Sequence, residues 1–152
     1  MSLFDLNLIK IDVVVDNKTS LLAMMVNDLY ENKALQFKEA FFTAIKERES
    51  VLSTGIGHGI AIPHARHNHV YETKAVVYVL KDELEYDALD GNPVKIIVML
   101  AVPAESNHDY MKALHTITAS LRDENDRTFF INCKDHTEIY DFLTKAVSRN
   151  PA

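Results

Sequence analysis

Two apolar segments constrain the fold of this 152-residue chain more than any other feature. Residues 75–80 and 94–102 are nearly continuous runs of apolar side chains, rich in valine and isoleucine. Strands of this composition are typically buried on both faces, so that helices cover both sides of their sheet. Both segments are far shorter than the roughly 20 apolar residues that a membrane-spanning helix requires. We therefore predict two central strands of a layered α/β fold and no insertion into a membrane.

Segments with helical periodicity precede and follow the two strands. Apolar residues recur at helical spacing in four segments, at about residues 19–32, 36–48, 106–121 and 137–147. Residues 8–15 indicate a further strand, and residues 128–131 fit either a strand or a short helix. Because the connections do not suit a strict alternation of strands and helices, we expect a mixed rather than a purely parallel sheet. The sequence thus predicts an α/β fold in which residues 1–152 form a single domain, with a mixed β-sheet flanked by helices on both faces.

Composition and charge exclude several classes of function. The net charge of −6 argues against nucleic acid as a partner, because binding to a phosphate backbone needs a basic face. Cys133 is the single cysteine, so an internal disulfide and a cysteine-rich zinc site are both excluded. Residues 1–10 carry no secretory leader, which together with the single cysteine favours a cytoplasmic protein. The sequence contains no P-loop, dinucleotide-binding glycine motif or nucleophile elbow, and we expect no cofactor.

Residues 55–66 read GIGHGIAIPHAR and form the densest motif in the chain. Glycines at three alternate positions allow backbone conformations that other residues resist, and a short apolar stretch follows them. Pro63 restricts the backbone immediately before His64, so that this imidazole is held at the end of a strand. A neutral imidazole has one free nitrogen lone pair and can act as a base, a ligand or a nucleophile. The alternative is a histidine that caps the strand through a hydrogen bond.

Arg48 favours a chemical role for that histidine. It lies eleven residues, or about three helical turns, after Phe37 and continues the apolar stripe that contains Phe41 and Ile45. An arginine on the inward face of a helix either extends its head to solvent or meets an anion. The end of this helix leads within a few residues into the glycine-rich motif. Phosphoryl chemistry on histidine needs such a pair, since the imidazole attacks phosphorus and a guanidinium neutralises the phosphoryl oxygens.

The start of the helix predicted over residues 106–121 is a third candidate element. Residues 105–110 (ESNHDY) place His108 at a helix N-terminus, whose free N–H groups and dipole favour anions. The alternative is an ordinary helix cap with a histidine on the surface.

A metal site is the weakest of the alternatives. Four histidines lie close together in sequence and could look like ligands, namely His58, His64, His67 and His69. Their spacing is not that of a helical pair, no acidic residue stands between them, and Arg66 would repel a cation. We therefore expect no metal, and we place His67 and His69 in a solvated loop. The remaining two, His115 and His136, are predicted on helix surfaces.

The glycine-rich motif and its surroundings resemble the fructose/mannitol/nitrogen-type enzyme IIA domains of the bacterial phosphoenolpyruvate-dependent sugar phosphotransferase system. The resemblance covers nearly the whole chain and is carried by the segments 47–49 (ERE), 56–57 (IG), 60–65 (IAIPHA), 89–94 (LDGNPV), 100–103 (LAVP) and 114–123 (LHTITASLRD). It implies a mixed β-sheet flanked by helices, consistent with the apolar patterns. It also implies that His64 is the phosphorylated histidine and that Arg48 is the active-site arginine.

The resemblance further implies a function and its partners. A phosphotransferase of this family accepts a phosphoryl group from the histidine-containing phosphocarrier protein and passes it to an enzyme IIB, without a metal. The chain would then be a phosphocarrier in sugar uptake. Nitrogen-type relatives act largely as regulators that bind other proteins according to phosphorylation state, and the sequence leaves both functions open.

One position departs from the family pattern. Many members carry a second active-site histidine at the start of the helix after the Ala-Val-Pro strand. Alignment backwards from Leu114 and Asp123 puts Tyr110 at that position, whereas His108 lies two residues earlier. Either a shifted loop brings His108 into the site, which we prefer, or the Tyr110 hydroxyl serves as the donor instead.

Overall fold

Within residues 3–149, which the computed structural model describes, eleven elements build a mixed sheet with helices on both faces. The elements are β1 (Phe4–Val13), α1 (Lys18–Glu31), α2 (Lys38–Val51), β2 (Gly55–Gly57), β3 (Ile60–Ala61), β4 (His64–His67), β5 (Lys74–Leu84), β6 (Val94–Pro103), α3 (Asn107–Ser120), α4 (Glu124–Asn132) and α5 (His136–Arg149). The predicted α/β fold with a mixed sheet is thereby confirmed.

The sheet combines parallel and antiparallel pairs in the order β1-β5-β6-β3-β2, with β4 also paired to β6. Strand β5 is parallel to β1 and antiparallel to β6, and β6 is parallel to both β3 and β4. Along β6, Ile60 lies opposite Ile96 and His64 lies opposite Leu100. Pro63 has no N–H to donate, but its carbonyl accepts a hydrogen bond from the Leu100 N–H at 2.9 Å. The chain is therefore fastened to a central strand directly before His64.

Strands β5 and β6 are buried on both faces, as their apolar pattern predicts. Successive side chains of a strand point to opposite faces, and the two sets enter two separate cores. The core under α1 and α2 contains Val76, Tyr78, Leu80, Ile97, Met99 and Ala101. The core under α3, α4 and α5 contains Ala75, Val77, Val79, Ile96, Val98, Leu100 and Val102. The two-sided burial explains why both strands lack polar alternation.

The helices begin and end close to the predicted positions, with two differences. Phe37 is not part of the buried stripe of α2, because it precedes the helix and is 50% exposed. The stripe starts instead at Phe41, which is fully buried. The ambiguous residues 128–131 belong to α4, which begins after Asp123, whose carboxylate accepts a hydrogen bond from the Asn125 N–H. No helix within residues 3–149 is long and apolar enough to cross a lipid bilayer.

Candidate functional site

An open cleft lies where the end of α2, the strand β4 and the start of α3 meet. It is lined by Ala44, Glu47, Arg48, Val51, His64, Ala65, Arg66, Ala104 and Tyr110. Three of the residues singled out by the sequence, His64, Arg48 and Tyr110, therefore lie in one cleft.

The His64 ring is held in one orientation by its own backbone. Its Nδ1 lies 2.7 Å from the Ile62 carbonyl oxygen. A carbonyl oxygen only accepts, so Nδ1 carries the proton and donates it. In the neutral ring, Nε2 is then the nitrogen with the free lone pair. The geometry thus selects a single nucleophilic or basic atom.

The charge state of His64 is set by its surroundings. The side chain is half-buried, and this burial is the largest cause of a pKa below the ordinary value for histidine. The positive charge of Arg48 lowers the pKa further, whereas the hydrogen bond to Ile62 and the charge of Glu49 act in the opposite direction. The lowered pKa keeps the imidazole mainly neutral near pH 7, and a neutral ring is the form with a lone pair.

Arg48 stands in the last turn of α2 and is partly buried. Its Nη1 donates to the Leu52 carbonyl oxygen at 2.7 Å, beyond the end of the helix. A guanidinium has five N–H donors in a planar fork, so this bond fixes the group while leaving most donors for another partner. The C-terminus of a helix also favours a positive charge at this place.

A buried network around Glu49, which the sequence analysis did not identify, fastens the end of α2. The Glu49 carboxylate is 6% exposed and lies 2.9 Å from the Lys18 ammonium group. It also accepts hydrogen bonds from the Tyr86 hydroxyl at 2.8 Å and from the Thr54 hydroxyl. Burial would raise the pKa of Glu49, but the bonds from Thr54, Lys18 and Tyr86 outweigh it and hold the pKa below its usual value. These partners come from three separate segments, so no local pattern pointed to them.

Tyr110 lies against His64, with ring centroids 5.6 Å apart and an angle of 43° between the planes. The guanidinium carbon of Arg66 lies 5.2 Å from the centroid of the same tyrosine ring. His108 stands in the first turn of α3, as predicted, but its side chain is exposed and is not among the residues that line the cleft. The structure therefore brings Tyr110, the residue found by alignment, to the imidazole.

The other histidines are dispersed. His58 is exposed in the turn between β2 and β3, with a positive φ of 59°. His67 lies in strand β4, so the prediction of a loop is wrong for it, whereas His69 lies in the turn after β4, as predicted, and both side chains are partly exposed. Their rings lie 4.9 Å apart, and His67 accepts a hydrogen bond from the His69 N–H while the His69 ring bonds Gln36. Within the described part of the chain, no three side chains of the metal-ligating types converge on one point.

Comparison with known proteins gives a consistent set of matches. The family described as "Phosphoenolpyruvate-dependent sugar phosphotransferase system, EIIA 2" matches residues 2–146. The fructose-specific EIIABC component of Bacillus subtilis is 31% identical over 137 residues, which are 90% of this chain. The chain spans only 22% of the length of that relative. The nitrogen regulatory protein of Klebsiella oxytoca is 33% identical over 112 residues, which cover 73% of this chain and 69% of that protein.

Solved structures share the fold. The nitrogen regulatory protein IIA-Ntr of Neisseria meningitidis superposes with a TM-score of 0.87 at 26% identity, over 93% of this chain and 96% of that one. The enzyme IIAMTL of Escherichia coli, solved in complex with phosphorylated enzyme IIBMTL, superposes with a TM-score of 0.82. At 17% identity, over 94% of this chain and 99% of that one, the second likeness shows the fold alone.

Proposed function

The chain belongs to the EIIA 2 family of the phosphoenolpyruvate-dependent sugar phosphotransferase system, and on this premise we propose that it is a phosphocarrier domain whose His64 carries the phosphoryl group. Domains of this family are components of a phosphotransfer relay. The observation that carries the proposal is the half-buried His64, with Nδ1 bonded to a carbonyl, in a cleft that Arg48 also lines. No other histidine of the described residues lines that cleft.

The proposed reaction moves the phosphoryl group between two imidazoles. The lone pair of His64 Nε2 forms a bond to phosphorus, and the bond from phosphorus to the donor nitrogen breaks, with its electron pair returning to the donor. The His64 ring then carries a proton on Nδ1 and a phosphoryl group on Nε2, and is positively charged. The Ile62 carbonyl, which accepts the Nδ1 proton in a hydrogen bond, stabilises this cation. Arg48 neutralises charge on the phosphoryl oxygens.

The partners of this reaction would be proteins. We propose the histidine-containing phosphocarrier protein as donor and an enzyme IIB as acceptor. The cleft is open, and Val51, which lines it, is 81% exposed. Three further apolar side chains are also exposed, namely Leu52 directly after α2 (56%), Ile56 on β2 (43%) and Leu89 (58%). Leu89 reaches β2 through a 2.8 Å bond from its N–H to the Gly55 carbonyl. Exposed apolar side chains beside a cleft are consistent with a surface that binds another protein.

A regulatory function is the second candidate, since the nitrogen regulatory protein of Klebsiella oxytoca is similar over most of its own length. The same phosphorylated histidine would then act as a switch for binding target proteins. The discriminating experiment offers the labelled protein to purified enzyme IIB domains. Transfer to any of them supports the relay, whereas no transfer, combined with binding to a kinase or transporter that depends on phosphorylation, supports regulation.

The phosphorylation itself is tested with phosphoenolpyruvate, enzyme I and the histidine-containing phosphocarrier protein. An acid-labile phosphoryl group should appear on the wild type and be absent from His64→Ala. His115→Ala is the matched control, because His115 is exposed on α3 away from the cleft residues and its loss should leave labelling unchanged. Labelling of His64→Ala at the wild-type level would exclude the proposal.

A further inference from the structure

Arg66 is a second guanidinium in the cleft, and the proposed reaction leaves it without a function. Strand β4 is parallel to β6, with His64 opposite Leu100 and Arg66 opposite Val102. Leu100 and Val102 both belong to the core under α3, so their neighbours on β4 stand on the same face of the sheet. His64 and Arg66 are therefore adjacent on that face, about 6.6 Å apart along the strand.

Tyr110 connects the two side chains. Its ring contacts the imidazole of His64, and the guanidinium of Arg66 lies over the same ring. Arginine stacks on aromatic faces through its planar, weakly hydrated charge. Among the side chains that the structure describes, no carboxylate forms an ion pair with Arg66. The charge is therefore held beside the imidazole by a neutral ring, which leaves its N–H donors available to an anion.

A phosphoryl group on His64 and the Glu47 carboxylate together bring more negative charge into the cleft than the protonated imidazole and Arg48 offset. A phosphoryl group adds about 1.5 to 2 negative charges at neutral pH. Arg48 supplies one positive charge and already donates one N–H to Leu52. Glu47 also lines the cleft, and its negative charge opposes an incoming phosphoryl group. Arg66, a second guanidinium in the same cleft, would complete the neutralisation.

We infer that Arg66, held against the Tyr110 ring, binds the phosphoryl group on His64 together with Arg48, and that Tyr110 acts as the positioning residue for Arg66. The inference rests on the proposed phosphorylation of His64. It assigns the aromatic face of Tyr110, rather than its hydroxyl, to the site. It also predicts that His108, which is exposed and outside the cleft lining, contributes nothing to the transfer.

The experiment measures single-turnover phosphorylation at saturating phosphocarrier for Arg66→Gln and Arg66→Lys. Arg66→Gln loses one hydrogen-bond donor to the developing charge and should transfer roughly tenfold more slowly than the wild type. The loss is smaller than in a site closed to water, because the cleft is open. Arg66→Lys keeps the positive charge and should recover part of the rate. Arg122→Gln is the control, because Arg122 is exposed just after α3 and does not line the cleft. Its rate should equal that of the wild type.

Two variants of Tyr110 distinguish the contribution of its aromatic ring to the transfer rate from that of its hydroxyl group. Tyr110→Phe keeps the aromatic face and should transfer at the wild-type rate, whereas Tyr110→Leu should be as slow as Arg66→Gln. His108→Ala should be unchanged. If Tyr110→Phe is slow, the hydroxyl is the donor and the positioning role of the ring is refuted.

A small donor separates phosphoryl binding from protein docking. With phosphoramidate in place of the phosphocarrier, Arg66→Gln should remain slow, since no protein surface is involved. A defect seen only as a raised KM for the phosphocarrier would overturn the inference and assign Arg66 to docking. Normal rates of Arg66→Gln with both donors would overturn it while leaving the phosphorylation of His64 intact. An unlabelled wild type would overturn the proposed function and this inference together.

Discussion

The central strands β5 and β6 and the segment of residues 55–67 lie side by side in one sheet but are built differently. In the central strands, the residues 75–80 and 96–102 all enter one of two cores, and the hydrogen-bonded ladder is long. The neighbouring segment is divided into β2, β3 and β4, with positive φ angles at Gly57, His58 and Gly59 and a proline before His64. The first region supplies stability, and the second uses that support to hold a half-buried polar side chain.

The largest expected effect comes from a substitution that creates a cavity in the central strands, because it should lower stability without changing phosphotransfer. Met99 is fully buried in β6, so Met99→Ala should lower the free energy of unfolding by about 2–5 kcal/mol. The rate of phosphotransfer per folded molecule should stay near that of the wild type. Urea denaturation and single-turnover labelling measure the two quantities. Met111→Ala, at a position that is 63% exposed, is the control and should change neither.

Arg48→Ala should have the opposite effect, with nearly unchanged stability and a much lower rate of phosphotransfer. The guanidinium is partly exposed at the end of α2, so the protein should remain folded with nearly unchanged stability. The transfer rate should fall roughly 100-fold, equivalent to about 2.7 kcal/mol of transition-state stabilisation. Arg122→Ala serves as the control for loss of an arginine. An unchanged transfer rate in Arg48→Ala would remove Arg48 from the proposed mechanism.

Gly55 joins the two regions, because its backbone lies against the residues that follow β5. A Cβ at this position would lie 2.7 Å from the Cβ and 2.8 Å from the Cα of Ala88. Gly55→Ala should therefore destabilise the fold by about 1–3 kcal/mol through overpacking. Gly91→Ala is the comparison: it has open space but a positive φ of 76°, so it should cost about 1 kcal/mol. Equal thermal stability of Gly55→Ala and wild type would contradict this prediction and would mean that the backbone at Ala88 shifts at little cost in free energy.

The pH dependence should produce the smallest effect. The pKa of His64 is held below its ordinary value of about 6.5, chiefly by burial, so more than about three-quarters of the rings are neutral at pH 7. The transfer rate should rise with pH and then level off, changing by less than about 1.3-fold between pH 7 and 8. A rate at pH 7 that is half the rate at pH 8 would mean that the pKa is raised instead. The measurement uses phosphoramidate at a constant concentration of its N-protonated form, from which ammonia leaves, so that neither the titration of this donor nor that of a donor protein's histidine contributes.

The sequence predicted the site only in part. The proline and the apolar stretch before His64 are local features, and they correctly indicated a histidine fixed at a strand. The choice between His108 and Tyr110 was not local, because it depends on how α3 is rotated against β4. Two residues in the first turns of a helix differ by about 200° around its axis, so only one of them can contact the imidazole. The preference for His108 rested on residue type, whereas the structure places Tyr110 beside the ring.

The sequence by itself determined the α/β layers, the mixed sheet and the two central strands. Doubly buried strands and amphipathic helices can be recognised from the spacing of apolar residues over short stretches of the chain. Tertiary structure alone decided which groups meet at the cleft. The Glu49 network joins residues from α1, α2 and the segment before β6, and the Arg66–Tyr110 contact joins β4 to α3. Such contacts depend on strand register and helix rotation, and these are set by the packing of the whole chain rather than by any short stretch of it.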